Sequence, residues 1–136
     1  MKVTVSELLV RYLQRLGIDV VFGMPGAHIL PVYDRLHGSG VRTVLVKHEQ
    51  GAAFMAGGLA RAAQHLGRPR PACCLTTAGP GATNLVTGIA NAYAERLPVL
   101  VLTGGNGLSS PAGWPCRRPS VKRPLRASAS PAPLRR

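Results

Sequence analysis

Four short apolar runs, at residues 18–22, 41–46, 71–76 and 98–103, alternate along this chain with segments whose apolar residues recur at helical spacing. A strand that is apolar on both faces needs cover on both, and a parallel sheet gets that cover from the helices crossing between its strands. With right-handed crossovers the expected fold class is therefore α/β, a parallel sheet with helices on both faces. Aromatic residues make up 4% of the chain while glycines number 16, which favours closely packed helices over a core of large rings.

The helical segments carry their own start and stop signals. Val5, Leu8, Leu9, Tyr12, Leu13 and Leu16 fall at i, i+3, i+4, i+7, i+8 and i+11, with Thr4 or Ser6 placed to cap and Gly17 to terminate. This predicts an amphipathic helix with that stripe turned inward. Glu7, Arg11 and Arg15 interrupt it, so it reads as neither a signal peptide nor a membrane span, and the expected compartment is the cytoplasm. A second pattern runs through Ile29, Leu30, Tyr33 and Leu36 to Gly38. A third, rich in Ala and Gly, covers residues 49–66, and a fourth is expected as one helix over residues 82–95.

The formal net charge of +12 is unevenly placed. Residues 1–106 hold ten Lys or Arg and all five acids, whereas residues 107–136 hold seven Lys or Arg, no acid and six of the twelve prolines. The expected organisation is a domain over residues 1–106 and a disordered basic tail over residues 107–136. The tail's Arg, Pro, Ser and Ala content reads as an out-of-frame continuation of a GC-rich gene. It has one aromatic residue, Trp114, and no recognition module, so nonspecific phosphate contact is expected and no specific nucleic-acid partner. Cys73, Cys74 and Cys116 lack CxxC spacing, and the adjacent pair lies in a predicted strand, so both are expected buried and reduced.

In open parallel sheets ligands bind beyond the carboxyl ends of the strands. Here those ends are Gly23-Met24-Pro25-Gly26, Lys47-His48-Glu49-Gln50-Gly51, the run from Thr77 to Asn84, and Gly104-Gly105-Asn106. Three are glycine-rich turns that let backbone approach a flat ligand, and one carries a carboxylate. Glu49 admits two readings. It is a carboxylate stabilised by the first turn of a helix, or a group whose pKa is raised under an apolar lid of Ala52, Ala53, Phe54 and Met55 until it shares a proton with a ligand ring nitrogen. The run from Gly79 to Asn84 opens like a dinucleotide fingerprint, but its sixth position is Asn and no acidic ribose partner follows. It reads as a tight turn with Thr83 or Asn84 bonding early helical amides, as a ligand contact, or as both. His48 is a strand-end surface residue or a catalytic one. His28, His37 and His65 lie in helical patterns without metal-ligand spacing and are expected on the surface; no metal site is expected.

The runs FGMPGAHILPVYDRL, KHEQGAAFMAGGLARA and TTAGPGATNLVTGIANAYAERLPVLVLTG, in that order, resemble the N-terminal pyrimidine-binding domain of thiamine diphosphate enzymes of the acetolactate synthase large-subunit type. The resemblance covers about residues 1–106. It implies that Glu49 hydrogen-bonds the aminopyrimidine N1′, favouring the tautomer that deprotonates the thiazolium C2. The carbanion then attacks a 2-keto acid such as pyruvate, in branched-chain amino acid biosynthesis. Glu49 separates the chain from glyoxylate carboligase, which resembles this family but lacks the carboxylate. By the same resemblance Pro25 and Gly26 face the cofactor and the reacting carbon, while Thr77, Gly79, Pro80 and Asn84 line the pyrimidine side.

In such enzymes the diphosphate and Mg²⁺ are held by a separate C-terminal domain with a Gly-Asp-Gly motif, usually from the partner subunit, and some members bind FAD. None of those segments occurs in these 136 residues. The resemblance thus implies half a cofactor site, weak thiamine diphosphate binding and no turnover. The implied partners are a second copy in a homo-oligomer, or an intact synthase chain with which a non-catalytic domain would associate.

Overall fold

The computed structural model describes residues 3–105; Asn106, Cys116 and the expected tail lie outside the described residues. In chain order the elements are α1 (Val5–Arg15), β1 (Val20–Gly23), α2 (Leu30–Leu36), β2 (Arg42–Leu45), α3 (Glu49–His65), β3 (Ala72–Thr76), α4 (Pro80–Thr83), α5 (Val86–Ala94) and β4 (Val99–Thr103). Thr4 caps α1, its hydroxyl accepting the Glu7 N–H at 3.2 Å. Gly17 closes the helix: its N–H reaches the Gln14 carbonyl, and that of Ile18 reaches Leu13.

All four strands are parallel, in the order β2-β1-β3-β4. Alternation along the strands sends Val21, Cys73, Leu75, Leu100 and Leu102 to one face, where they meet Val10 and Leu13 of α1 and Leu36 of α2. Phe22, Cys74, Val99 and Val101 face the other way, onto Ala52 and Ala53 of α3 and Ile89 of α5. Helices therefore cover both faces, as the alternating pattern requires. Every residue of β3 is buried, and burial pushes the Cys73 thiol up to about 12 and that of Cys74 to about 11. Both are free and held as neutral thiols inside the sheet.

Three expectations are corrected. The α1 stripe is rotated: Val10 and Leu13 are buried, while Val5 (82% exposed), Leu8, Tyr12 and Leu16 face outward. Residues 41–46 are not covered on both faces, because β2 is an edge strand and α3 packs across β1, β3 and β4; Arg42, Thr43 and Leu45 are exposed. The single helix over residues 82–95 is two helices. At Leu85 the hydrogen-bond ladder tightens from four residues back to three, Leu85 N–H bonding Ala82 O. Among the described residues no helix is long and apolar enough to cross a membrane.

Candidate functional site

The carboxyl ends of β1, β3 and β4 and the segment following β2 converge at one end of the sheet. Leaving β2, the chain turns through Lys47 and His48 into α3. His48 is exposed and caps that helix, its Nδ1 accepting the Gln50 N–H at 3.2 Å. Glu49 follows in the first turn, where the aligned peptide dipoles favour a negative charge. Only 6% of Glu49 is exposed, and it is the one carboxylate among the buried residues described.

The partner of Glu49 comes from the turn between α4 and α5. Asn84 donates through Nδ2 to Oε2 of Glu49 at 2.9 Å. Neither Asn84 nor Thr83 bonds an early helical amide; Thr83 instead donates its hydroxyl to the Pro80 carbonyl at 3.2 Å. The hydrogen bond from Asn84 is the main reason that the Glu49 carboxyl lies below the ordinary glutamate range. Burial opposes it more weakly, and the residue's own backbone amide and neighbouring His48 add to the lowering.

Of the two readings of Glu49, this favours the carboxylate stabilised at a helix start over one raised by an apolar lid. At 100° per residue α3 turns Ala52 and Ala53 inward but leaves Phe54 and Met55 44% and 48% exposed, so these two large side chains are not buried with the carboxylate.

Thr77 is the hub of the neighbouring surface. A Cβ on Gly26 would stand 2.5 Å from the Thr77 Cβ. One on Gly81 would stand 2.9 Å from the Thr77 Cγ2 and 3.5 Å from Oε1 of Glu49. Both positions must therefore lack a side chain for β1, β3 and the helices to close up at this level. Gly26, Thr77, Gly81, Glu49 and Asn84 form one contiguous set. Pro25, Gly79 and Pro80 lie exposed beside it, on the turns after β1 and β3. Gly79 sits at φ 72°, a backbone region that only glycine enters cheaply, and this is what turns the chain out of β3 into Pro80.

The structure adds a residue that helical spacing misplaced. His28 lies in the turn before α2, exposed, with Nδ1 3.2 Å from the Thr77 hydroxyl. A Cβ on Gly104 would meet the His28 Cβ at 2.6 Å. Its place directly after the glycine turn at a strand end was the available signal. Among the described residues no group of three or more His, Cys, Asp or Glu side chains comes close enough to hold a metal ion.

A buried carboxylate thus stands at the strand ends, beside glycines that bare the backbone. Residues 3–115 match the family model described as thiamine pyrophosphate enzyme, N-terminal TPP binding domain. The chain belongs to this family. It is 46% identical over 114 residues to a probable 2-ketoarginine decarboxylase of Pseudomonas aeruginosa, covering 83% of this chain and 20% of that protein. A probable acetolactate synthase large subunit of Methanocaldococcus jannaschii is 48% identical over 99 residues, covering 73% of this chain and 16% of the relative. Acetolactate synthase isozyme 1 large subunit of Escherichia coli is 47% identical over 102 residues, covering 74% and 17%. The chain thus spans a fifth or less of the length of these curated relatives.

Proposed function

We propose that this chain supplies the aminopyrimidine-binding half of a thiamine diphosphate site in an acetolactate synthase-like enzyme that decarboxylates and joins 2-keto acids. The observation that carries this reading is the Glu49 carboxylate, buried at the strand ends and bonded through one oxygen to Asn84. A flat aminopyrimidine needs an acceptor for its ring nitrogen and a floor without side chains, and Glu49 with Gly26 and Gly81 meets both needs. When bound, the cofactor's thiazolium supplies the electron sink for decarboxylation.

The chain's own residues prepare that chemistry. Glu49 accepts the hydrogen bond of the ring. A ring bound there would further desolvate Glu49, which would raise its pKa toward the value at which a proton can be shared. Pro25 and Gly26 would face the reacting carbon of a bound cofactor, and Thr77, Gly79 and Pro80 would line its pyrimidine side. Among the described residues the donor set does not suit Mg²⁺, since Glu49 stands without a second carboxylate. The metal, the diphosphate and any FAD belong to other residues of the assembled enzyme.

Large apolar side chains left in solvent favour an assembly. Val5, Leu8, Tyr12 and Leu16 form an exposed stripe on α1, and Tyr93 is exposed on α5. A partner surface covers them in this reading, in a homo-oligomer or against an intact synthase chain.

Calorimetric titration of the whole chain with thiamine diphosphate and Mg²⁺ tests the cofactor reading. Glu49→Gln, which keeps the size but not the charge, is expected to weaken binding at least about tenfold. Equal affinity of the two proteins, or no binding by the wild type, would remove Glu49 from a thiamine site.

A further inference from the structure

The side chain of Asn84 spans two parts of the fold for which local structure gives no reason. Asparagine in such a turn commonly bonds a nearby backbone group, yet its amide reaches 35 residues back along the chain to Glu49 at the start of α3. The tightened ladder at Leu85, a residue fully buried against α3 and β3, holds Asn84 at that level. Gly81, one turn earlier, is stripped of a side chain on the flank where Oε1 of Glu49 lies. The two carboxylate oxygens therefore differ: Oε2 is committed to Asn84, and Oε1 borders the bare backbone of Gly81.

We infer that Asn84 is a positioning residue, whose amide pins Oε2 of Glu49 and so presents Oε1, on the Gly81 side, to the ring nitrogen of a bound aminopyrimidine. This rests on the cofactor reading given above but assigns Asn84 a different part from a direct cofactor contact. Asn84 acts through Glu49, by fixing which edge of the carboxylate is free and by favouring its charged form in the absence of a ligand. A carboxylate without this clamp can rotate and spread its acceptor edge over several directions, which costs affinity through lost preorganisation.

Two measurements on the whole chain test the inference. The first is a double-mutant cycle on thiamine diphosphate affinity with Asn84→Ala, Glu49→Gln and the pair combined. Asn84→Ala is expected to weaken binding roughly tenfold, and the double variant to bind no more weakly than Glu49→Gln alone. Additive losses would show that Asn84 touches the ligand itself and would overturn the inference. The second needs no ligand: the Glu49 carboxyl carbon is titrated by NMR. Its midpoint is expected below the ordinary glutamate range in the wild type, higher in Asn84→Ala, and higher again in Asn84→Asp, which sets a second carboxyl beside it. The near-isosteric Asn84→Asp carries the test if the alanine variant does not fold. An unmoved midpoint in a folded variant overturns the inference. If the midpoint moves as stated while the wild type binds no thiamine diphosphate, the cofactor reading fails and the placement of Glu49 by Asn84 stands for another ligand.

Discussion

At Glu49 a donated hydrogen bond and burial push one carboxyl in opposite directions, and the bond from Asn84 prevails. A carboxyl whose pKa falls on folding stabilises the native state above its unfolded pKa, and that contribution is lost as pH falls through the folded value. Urea midpoints are therefore expected to decline below about pH 4.3 in the wild type and to decline less in Glu49→Gln. Parallel curves for the two proteins would mean that Glu49 gains nothing on folding. The strand-end rule made Glu49, Gly26, Thr77 and Asn84 readable as neighbours, since it depends on topology alone. The direction of the Glu49 shift was not readable, because it depends on which way Phe54 and Met55 point and on a bond between residues 35 apart in sequence. His28 was hidden for a related reason: its spacing suits a helix, but α2 begins two residues later, at Leu30.

At the level of elements, α3 and α5 approach as closely as their small residues permit. A Cβ on Gly88 would stand 2.4 Å from that of Ala53, a contact no pair of side chains sustains. Gly88→Ala is expected to cost about 1–3 kcal/mol by forcing the helices apart, measurable as a lowered urea midpoint. The end of α5 offers the opposite change. Arg96 sits at φ 55°, the described non-glycine residue with positive φ, where the Leu97 N–H closes the helix onto the Ala92 carbonyl. Arg96→Gly relieves the left-handed strain and is expected to stabilise the chain by about 0.5–1 kcal/mol in the same assay, whereas a loss of stability would show that the arginine side chain contributes more than its backbone costs. Strand positions were legible within two residues because continuous apolar runs admit few alternatives. The inward face of α1 was not, since apolar residues occupy two of its stripes and the sequence does not say which one the sheet receives. Helix α5 likewise continues α4 in pattern, and the tightening at Leu85 comes from tertiary packing.

Over the whole molecule the same ambiguity becomes a property. The stripe of α1 that the sheet leaves uncovered, Val5, Leu8, Tyr12 and Leu16, is a surface a partner can use. A shallow apolar groove of about 130 Å³ runs between α5 and the edge strand β4, lined by Ile89, Ala92, Tyr93, Leu97, Val99 and Val101. Light scattering after size exclusion is expected to show association that weakens in the double variant Leu8→Glu, Tyr12→Glu. A wild-type chain that runs as a monomer at every concentration would contradict the assembly reading. In the proposed function one end of the sheet receives the aminopyrimidine, with Glu49 at its centre. The most direct test is to add thiamine diphosphate and Mg²⁺ to the isotope-labelled chain and follow every backbone amide by NMR. Saturable shifts are expected at Gly26, Thr77, Gly81, Glu49 and Asn84 that vanish in Glu49→Gln. Shifts confined to α1, to the α5–β4 groove or to residues beyond 105, with those five amides unmoved, would contradict the proposed function.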